Sequence, residues 1–149
     1  MSFWFWHLFL LMKLGIMDNN NSDFLKNHSL KYIEMALRTD KFERLNNPDG
    51  YGKRTGDCGD TIEFFLICHK NILKSVSFCI RGCMNTKACC NTVVELVQGK
   101  TVDEAWGISP QQVIEYLETL PSDHSHCAEL VVGTLYQALA DLNSQDHAL

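Results

Sequence analysis

The spacing of apolar residues along this chain changes several times between Phe24 and Leu142, and each change marks an element. Leu30, Ile33, Met35, Ala36 and Leu37 fall at helical spacing and predict a short amphipathic helix capped by Asn27 or Ser29. A loop is expected next, because Asn46-Asn47-Pro48-Asp49-Gly50-Tyr51-Gly52 is dense in turn formers and Gly56, Asp57 and Gly59 continue that character around Cys58. Over residues 61–68 the period is two, with Ile62, Phe64, Leu66 and Cys68 on one face; Val76, Phe78 and Ile80 do likewise over 75–80. The polar break at His69-Lys70-Asn71 joins these strands as a hairpin, which delivers Cys83 to the sheet end from which Cys58 enters. Helical spacing returns through Cys89, Val93, Leu96 and Val97 and stops at Gly99. Thr101 with Glu104, and Ser109 with Gln112 around Pro110, are capping patterns for two short helices. Ala128, Val131, Val132, Leu135, Leu139 and Leu142 mark the apolar face of a final helix from about Asp123.

Strands and helices are thus segregated, which predicts an α+β fold: a small antiparallel sheet, a hairpin with room for a third strand, covered on one face by helices. A chain of 149 residues, 46% hydrophobic and 21% charged, fits a single domain over 24–142 with a flexible tail at 143–149. Residues 2–12, SFWFWHLFLLM, are too short for the ~20 apolar residues of a membrane span. Lys13 follows that run instead of preceding it, and no small-residue cleavage site is visible. Met17 and the Asp-Asn-Asn-Asn-Ser after it read as a start, so residues 1–23 are expected to be a disordered or non-native extension. A net charge of -5, with no basic stripe interleaved with aromatics, gives a nucleic-acid partner no support.

The cysteines change the picture. Seven is an odd number, and a chain able to bury roughly two-thirds of its unfolded surface needs no disulfide framework, so a reducing cytoplasm fits best. Cys68, Cys89 and Cys90 read as buried filler, and Cys79 as facing away from the core. Cys58 in Gly-Asp-Cys-Gly-Asp, Cys83 in Arg-Gly-Cys-Met-Asn-Thr and Cys127 after His126 sit in polar settings. They read as three thiolates converging on one soft metal centre, because thiolate is the favoured ligand of iron in iron–sulfur clusters and of zinc. Cys127 falls in the first turn of the final helix, where the helix dipole is expected to lower its pKa.

In order along the chain, Cys58-Gly59-Asp60, Gly82-Cys83 and His126-Cys127 resemble the three ligand motifs of the iron–sulfur cluster scaffold family that includes IscU and the amino-terminal domain of NifU. Residues 94–105 and 138–141 resemble connecting segments of the same family. The resemblance spans about residues 24–142. It implies an IscU/NifU-like fold and a scaffold, not an enzyme, that builds a labile cluster on Cys58, Cys83 and Cys127. The implied partners are a cysteine desulfurase, an iron or electron donor and apo iron–sulfur recipient proteins, and a homodimer is compatible. No long insertion separates Cys83 from Cys127, which makes the zinc-binding SufU branch a poorer fit. The chain departs from the family at Met84-Asn85-Thr86-Lys87 and Cys89-Cys90, where small or serine-like residues are usual. Leu120-Pro121-Ser122-Asp123-His124 stands where IscU proteins carry Leu-Pro-Pro-Val-Lys, which leaves a dedicated Hsp70 chaperone doubtful.

The two bridged irons of a 2Fe–2S cluster need four terminal ligands, so three thiolates leave one position, for which Asp60 and His126 are the candidates. A carboxylate is harder than sulfur and exchanges more readily from iron, so Asp60 would keep the cluster transferable. Zinc is the alternative occupant, in a sulfur acceptor that works with a desulfurase. A thiol enzyme pairing Cys127 with His126 ranks last, because adjacent helix residues do not face each other. Lys53 and Arg54 read as surface charge able to neutralise an anionic cluster.

Overall fold

The computed structural model describes residues 19–146, with side chains over 23–143. The apolar run at 2–12 and the proposed start at Met17 lie outside the described residues. Three strands, β1 (Gly50–Thr55), β2 (Thr61–His69) and β3 (Ile72–Arg81), form one antiparallel sheet in the order β1-β2-β3. The helices are α1 (Asn19–Asn27), α2 (Leu30–Leu37), α3 (Met84–Val97), α4 (Val102–Trp106), α5 (Pro110–Leu117) and α6 (Ser125–Asp146), with a 3-10 turn at Ser122–His124 leading into α6. Among the described residues, no helix is long and apolar enough to cross a membrane.

Side-chain parity sets which face of the sheet the helices cover. Ile62, Phe64, Leu66, Val76 and Phe78 are fully buried and share one cluster with Cys89 and Val93 of α3 and Val131, Leu135 and Leu139 of α6. Burial of each such aliphatic or aromatic side chain contributes about 1.5–3 kcal/mol. The other face carries Glu63, Cys79 and Tyr51, as the alternation requires. The caps also form as the sequence predicts. Ser29 accepts from the Tyr32 amide, Thr101 accepts from the Glu104 amide, and Ser109 and Gln112 cap each other's backbone. Gly99, at φ +82°, ends α3.

The hairpin register is what positions the functional end. Lys70 and Asn71 both adopt positive φ, the conformation of a two-residue turn whose twist matches the strands it joins. Next to that turn Cys68 pairs with Leu73, but farther on Ile67 pairs with Ser75, so Lys74 is the extra residue of a β-bulge. The bulge shifts every later pair by one residue and sets Thr61 against Arg81. Asp60 and Gly82, the next residues outward, are therefore brought side by side.

Two expectations are corrected here. The stretch around Gly50 and Gly52 reads as a loop but forms β1, the third strand of the sheet. Its glycines serve close approach, because a Cβ on Gly52 would stand 2.6 Å from the Thr134 carbonyl oxygen and 2.7 Å from the Ala138 nitrogen, both backbone atoms of α6. Of the lead through residue 23, expected to be disordered or non-native, the part from Asn19 is helical rather than disordered, and α1 is tied to the body by Phe24, whose ring lies 5.0 Å from His28 and 6.2 Å from Tyr32. Replacing Gly52 with alanine should force β1 away from α6 and lower stability by about 1–3 kcal/mol in urea denaturation, as overpacking a tight contact does. Unchanged stability would mean that the strand and helix are not held this closely.

Candidate metal centre

Three chain segments reach the same end of the sheet: the β1–β2 connection, the β3–α3 junction and the start of α6. The connection, residues 56–60, is a tight loop in which the Gly56 amide donates to the Asp60 carbonyl (2.9 Å) and the Gly59 amide to the Gly56 carbonyl (3.0 Å). Gly59, at φ +89°, adopts a conformation that L side chains rarely take. Cys58 is exposed at the tip of this loop, and Asp60 is half-buried on its return leg. Cys83 is the N-cap residue of α3, yet its side chain caps nothing, so the sulfur is directed to other partners. Cys127, in the first turn of α6, is 1% exposed.

One carboxylate oxygen of Asp60 and the Sγ atoms of Cys83 and Cys127 all lie within 4.8 Å of one another. Two neighbours hold the carboxylate in place. Gly82 packs against it so closely that a Cβ there would stand 2.8 Å from Asp60 Cγ. The fully buried Thr86 hydroxyl donates to Asp60 Oδ2 and stands 3.5 Å from Cys83 Sγ. Tyr32 and Asn85 lie nearby, with the Tyr32 hydroxyl donating to Asn85 Oδ1. Cys89 and Cys90 are fully buried filler, as the sequence implied, and burial holds both thiols well above their usual pKa.

The electrostatics of Cys127 differ from the sequence expectation. Burial pushes its thiol up to about 11, with further upward pressure from Cys83 and Asp60, while a hydrogen bond with Thr86 acts in the opposite direction. Desolvation outweighs the helix dipole because almost none of the residue meets water. Tyr32 is likewise pushed up to about 12, by burial first and then by the neighbouring Cys89, Cys83 and Cys127. Two thiols and a carboxylate in this space repel one another once ionised, and a cation among them would reverse that repulsion. The donor set suits a thiophilic transition ion and is poor for magnesium or calcium, which take oxygen ligands.

The remaining expected residues are placed unevenly. Of the three thiols expected to converge, Cys83 and Cys127 do, whereas Cys58 lies outside the 4.8 Å group. It lines a cleft of about 460 Å³ with Arg54, Asp57, His126, Glu129 and Leu130. His126 reaches both places, lining this cleft while its Nε2 stands 3.7 Å from Cys127 Sγ. The two adjacent helix residues therefore do meet, contrary to the helical-wheel argument. Arg54 shares the cleft and lies over Gly133 of α6, while Lys53 points to the other face of the sheet, 3.8 Å from Glu63. Sequence reasoning missed the part played by Thr86. The signal was a hydroxyl three residues after Cys83, on the first turn of a helix.

Residues 42–148 match the family model described as the NifU-like N terminal domain. An iron–sulfur cluster assembly protein IscU of Plasmodium falciparum is 31% identical over 120 residues, which cover 80% of this chain and 72% of that protein. A scaffold protein IscU of Archaeoglobus fulgidus is 29% identical over 110 residues, covering 67% and 72%. That of Escherichia coli K12 is 33% identical over 92 residues, covering 61% and 71%. Among solved structures, the amino-terminal part of a NifU-like protein from Brucella abortus superimposes with a TM-score of 0.66 at 14% identity, over 78% of this chain and 94% of that one. A scaffold protein assigned to the SUF system of Fervidobacterium islandicum gives a TM-score of 0.66 at 18% identity, over 76% and 97%. At these identities the structures establish a shared α+β fold.

Thiol reactivity follows from burial and charge at this end of the molecule. Iodoacetamide in mildly alkaline buffer should label the exposed Cys58 and Cys83 first, Cys127 more slowly, and Cys89 and Cys90 only after denaturation, as mapped by peptide mass spectrometry. The Cys127 rate should keep rising towards pH 11, since the reactive thiolate grows about tenfold per pH unit below the raised pKa. A Cys127 rate that levels off near neutral pH would contradict the burial of its sulfur.

Proposed function

Because the chain belongs to the NifU-like N-terminal domain family, we propose that it is a scaffold on which an iron–sulfur cluster is assembled and from which the cluster passes to apo-proteins. The observation that carries this reading is the meeting of Asp60, Cys83 and Cys127 within 4.8 Å at one end of the sheet. Cys83 and Cys127 supply terminal thiolates for the cargo, and Asp60 supplies a harder oxygen donor that exchanges readily. Cys58, exposed on a loop flanked by Gly56 and Gly59, swings in as the third thiolate and is the sulfur most open to an approaching partner. His126 stands beside Cys127 as proton acceptor or alternate nitrogen donor. The cargo is a 2Fe–2S cluster, with two thiolates on one iron and a thiolate and an oxygen on the other.

The partners follow from the chemistry. Sulfur comes from a cysteine desulfurase, iron and electrons from separate donors, and the cluster leaves to recipients with stronger thiolate ligand sets. The protein carries the cluster without turning over a substrate of its own, and works in the reducing cytoplasm, as a single domain over 24–142. One observation favours a second reading. Donor separations below 4.8 Å suit a single tetrahedral ion, since zinc at about 2.3 Å from each sulfur sets its ligands about 3.8 Å apart. In that reading Cys58 completes a zinc site and the protein accepts sulfur from the desulfurase.

Anaerobic loading with ferrous iron and sulfide, followed by metal analysis and visible absorption, separates the two. The scaffold reading expects a brown protein with matched iron and sulfide, and loss of most of that absorbance in Cys83→Ser and Cys127→Ser. Asp60→Ala should slow transfer to an apo-protein, because the exchangeable oxygen position is gone. A colourless protein holding stoichiometric zinc that iron cannot replace would decide for the sulfur acceptor.

A further inference from the structure

Every buried threonine hydroxyl on a helix must spend its one proton on an acceptor. Thr92 donates to the Ala88 carbonyl (2.8 Å) and Thr134 to the Leu130 carbonyl (2.7 Å), the usual partner one turn back. Thr86 does not follow them. It is the third residue of α3, so the residue one turn back is Gly82, which lies outside the helix. Its hydroxyl instead engages Asp60 Oδ2, on a loop 26 residues away, with Cys83 Sγ at 3.5 Å and the Cys127 thiol also within its hydrogen-bonding surroundings. Gly82 packs against the same carboxylate, where a Cβ would stand 2.9 Å from Oδ2.

We propose that Thr86 is a positioning residue for Asp60: its buried hydroxyl engages one carboxylate oxygen and holds the carboxylate beside the sulfurs of Cys83 and Cys127, so that the site offers a single oxygen donor. This deepens the metal-holding reading of the site and rests on it. The consequence is chemical. A carboxylate with one oxygen already hydrogen-bonded gives up part of its charge and coordinates through one atom, which makes it the weakest of the donors. The bond also holds Asp60 among the sulfurs before any metal arrives, when repulsion between the carboxylate and a thiolate would turn it outward. Gly82 is required by the same arrangement, since any side chain there would occupy the volume of the Asp60 carboxyl group.

The test uses cobalt(II), whose sulfur-to-metal charge-transfer band reports thiolate ligation and whose visible bands report the remaining donors. Wild type, Thr86→Val, Thr86→Ser, Asp60→Ala and the Asp60→Ala/Thr86→Val double variant are titrated anaerobically. Thr86→Val should weaken cobalt binding by about 10–100-fold, the usual effect of removing a hydrogen bond to a metal ligand, and should give the visible bands of Asp60→Ala. Thr86→Ser, which keeps the hydroxyl, should restore wild-type affinity and bands. The double variant should bind no more weakly than Asp60→Ala alone, because Thr86 acts through that carboxylate. Cobalt equilibrium affinity falls in these variants because the ion loses a donor, whereas the slower cluster transfer of Asp60→Ala is a kinetic effect. If Thr86→Val loses its helical circular dichroism, Gly82→Ala stands in for it: Thr86 is intact there, and cobalt binding should still fall as in Asp60→Ala. Wild-type binding in folded Thr86→Val or in Gly82→Ala, or effects of Thr86→Val and Asp60→Ala that multiply, would overturn the assignment. Absence of the charge-transfer band in wild type would instead remove the metal-holding reading on which it rests.

Discussion

The pairing of Thr61 with Arg81 is the constraint on which the rest of the functional end depends. Asp60 precedes the one and Gly82 follows the other, so the last rung of the β2–β3 ladder sets a carboxylate beside the residue that introduces Cys83. That rung depends on the bulge at Lys74. With the two-residue turn alone, Thr61 would face Ile80, Asp60 would lie one position away from Gly82, and each later side chain would change faces relative to its partner. The bulge thus sits at the far end of the hairpin from the residues whose alignment it decides. The same ladder buries Ile62, Phe64, Leu66, Val76 and Phe78, so core packing holds the register that the site requires.

Helices then bring the remaining donor. α6 lies against β1 at backbone contact, made possible by Gly50 and Gly52, and its first turn carries Cys127 inward until the thiol is almost fully covered. Burying a thiol beside a second thiol and a carboxylate disfavours its ionised form, and the raised pKa of Cys127 reflects that conflict. Such local conflicts between charge and burial are where folds carry function. A cation bound there would resolve the conflict, because it would attract all three donors at once.

Much of this was legible in the sequence, and what was not has identifiable causes. Two-residue alternation located β2 and β3, and Gly99, Thr101 and Ser109 marked helix ends, because these signals act over a few residues. β1 was hidden, since glycines that permit close approach to a helix look the same as glycines that make turns. The motif order pointed to Asp60, Cys83 and Cys127 as neighbours, but it also placed Cys58 with them, and the loop carrying Cys58 holds its thiol outside their group. The pKa of Cys127 was misjudged because position in a helix is visible in sequence and burial by segments distant along the chain is not. Thr86 was invisible for the same reason: its partner, Asp60, is set by strand register.

The measurement that bears most directly on a metal held by Asp60, Cys83 and Cys127 is X-ray absorption at the iron edge of the anaerobically loaded protein. The account predicts a first shell dominated by sulfur with one light-atom scatterer per pair of irons, an iron–iron vector, and replacement of that light-atom contribution by one more sulfur per pair of irons if Asp60 is replaced by cysteine. A first shell made only of oxygen and nitrogen would contradict it.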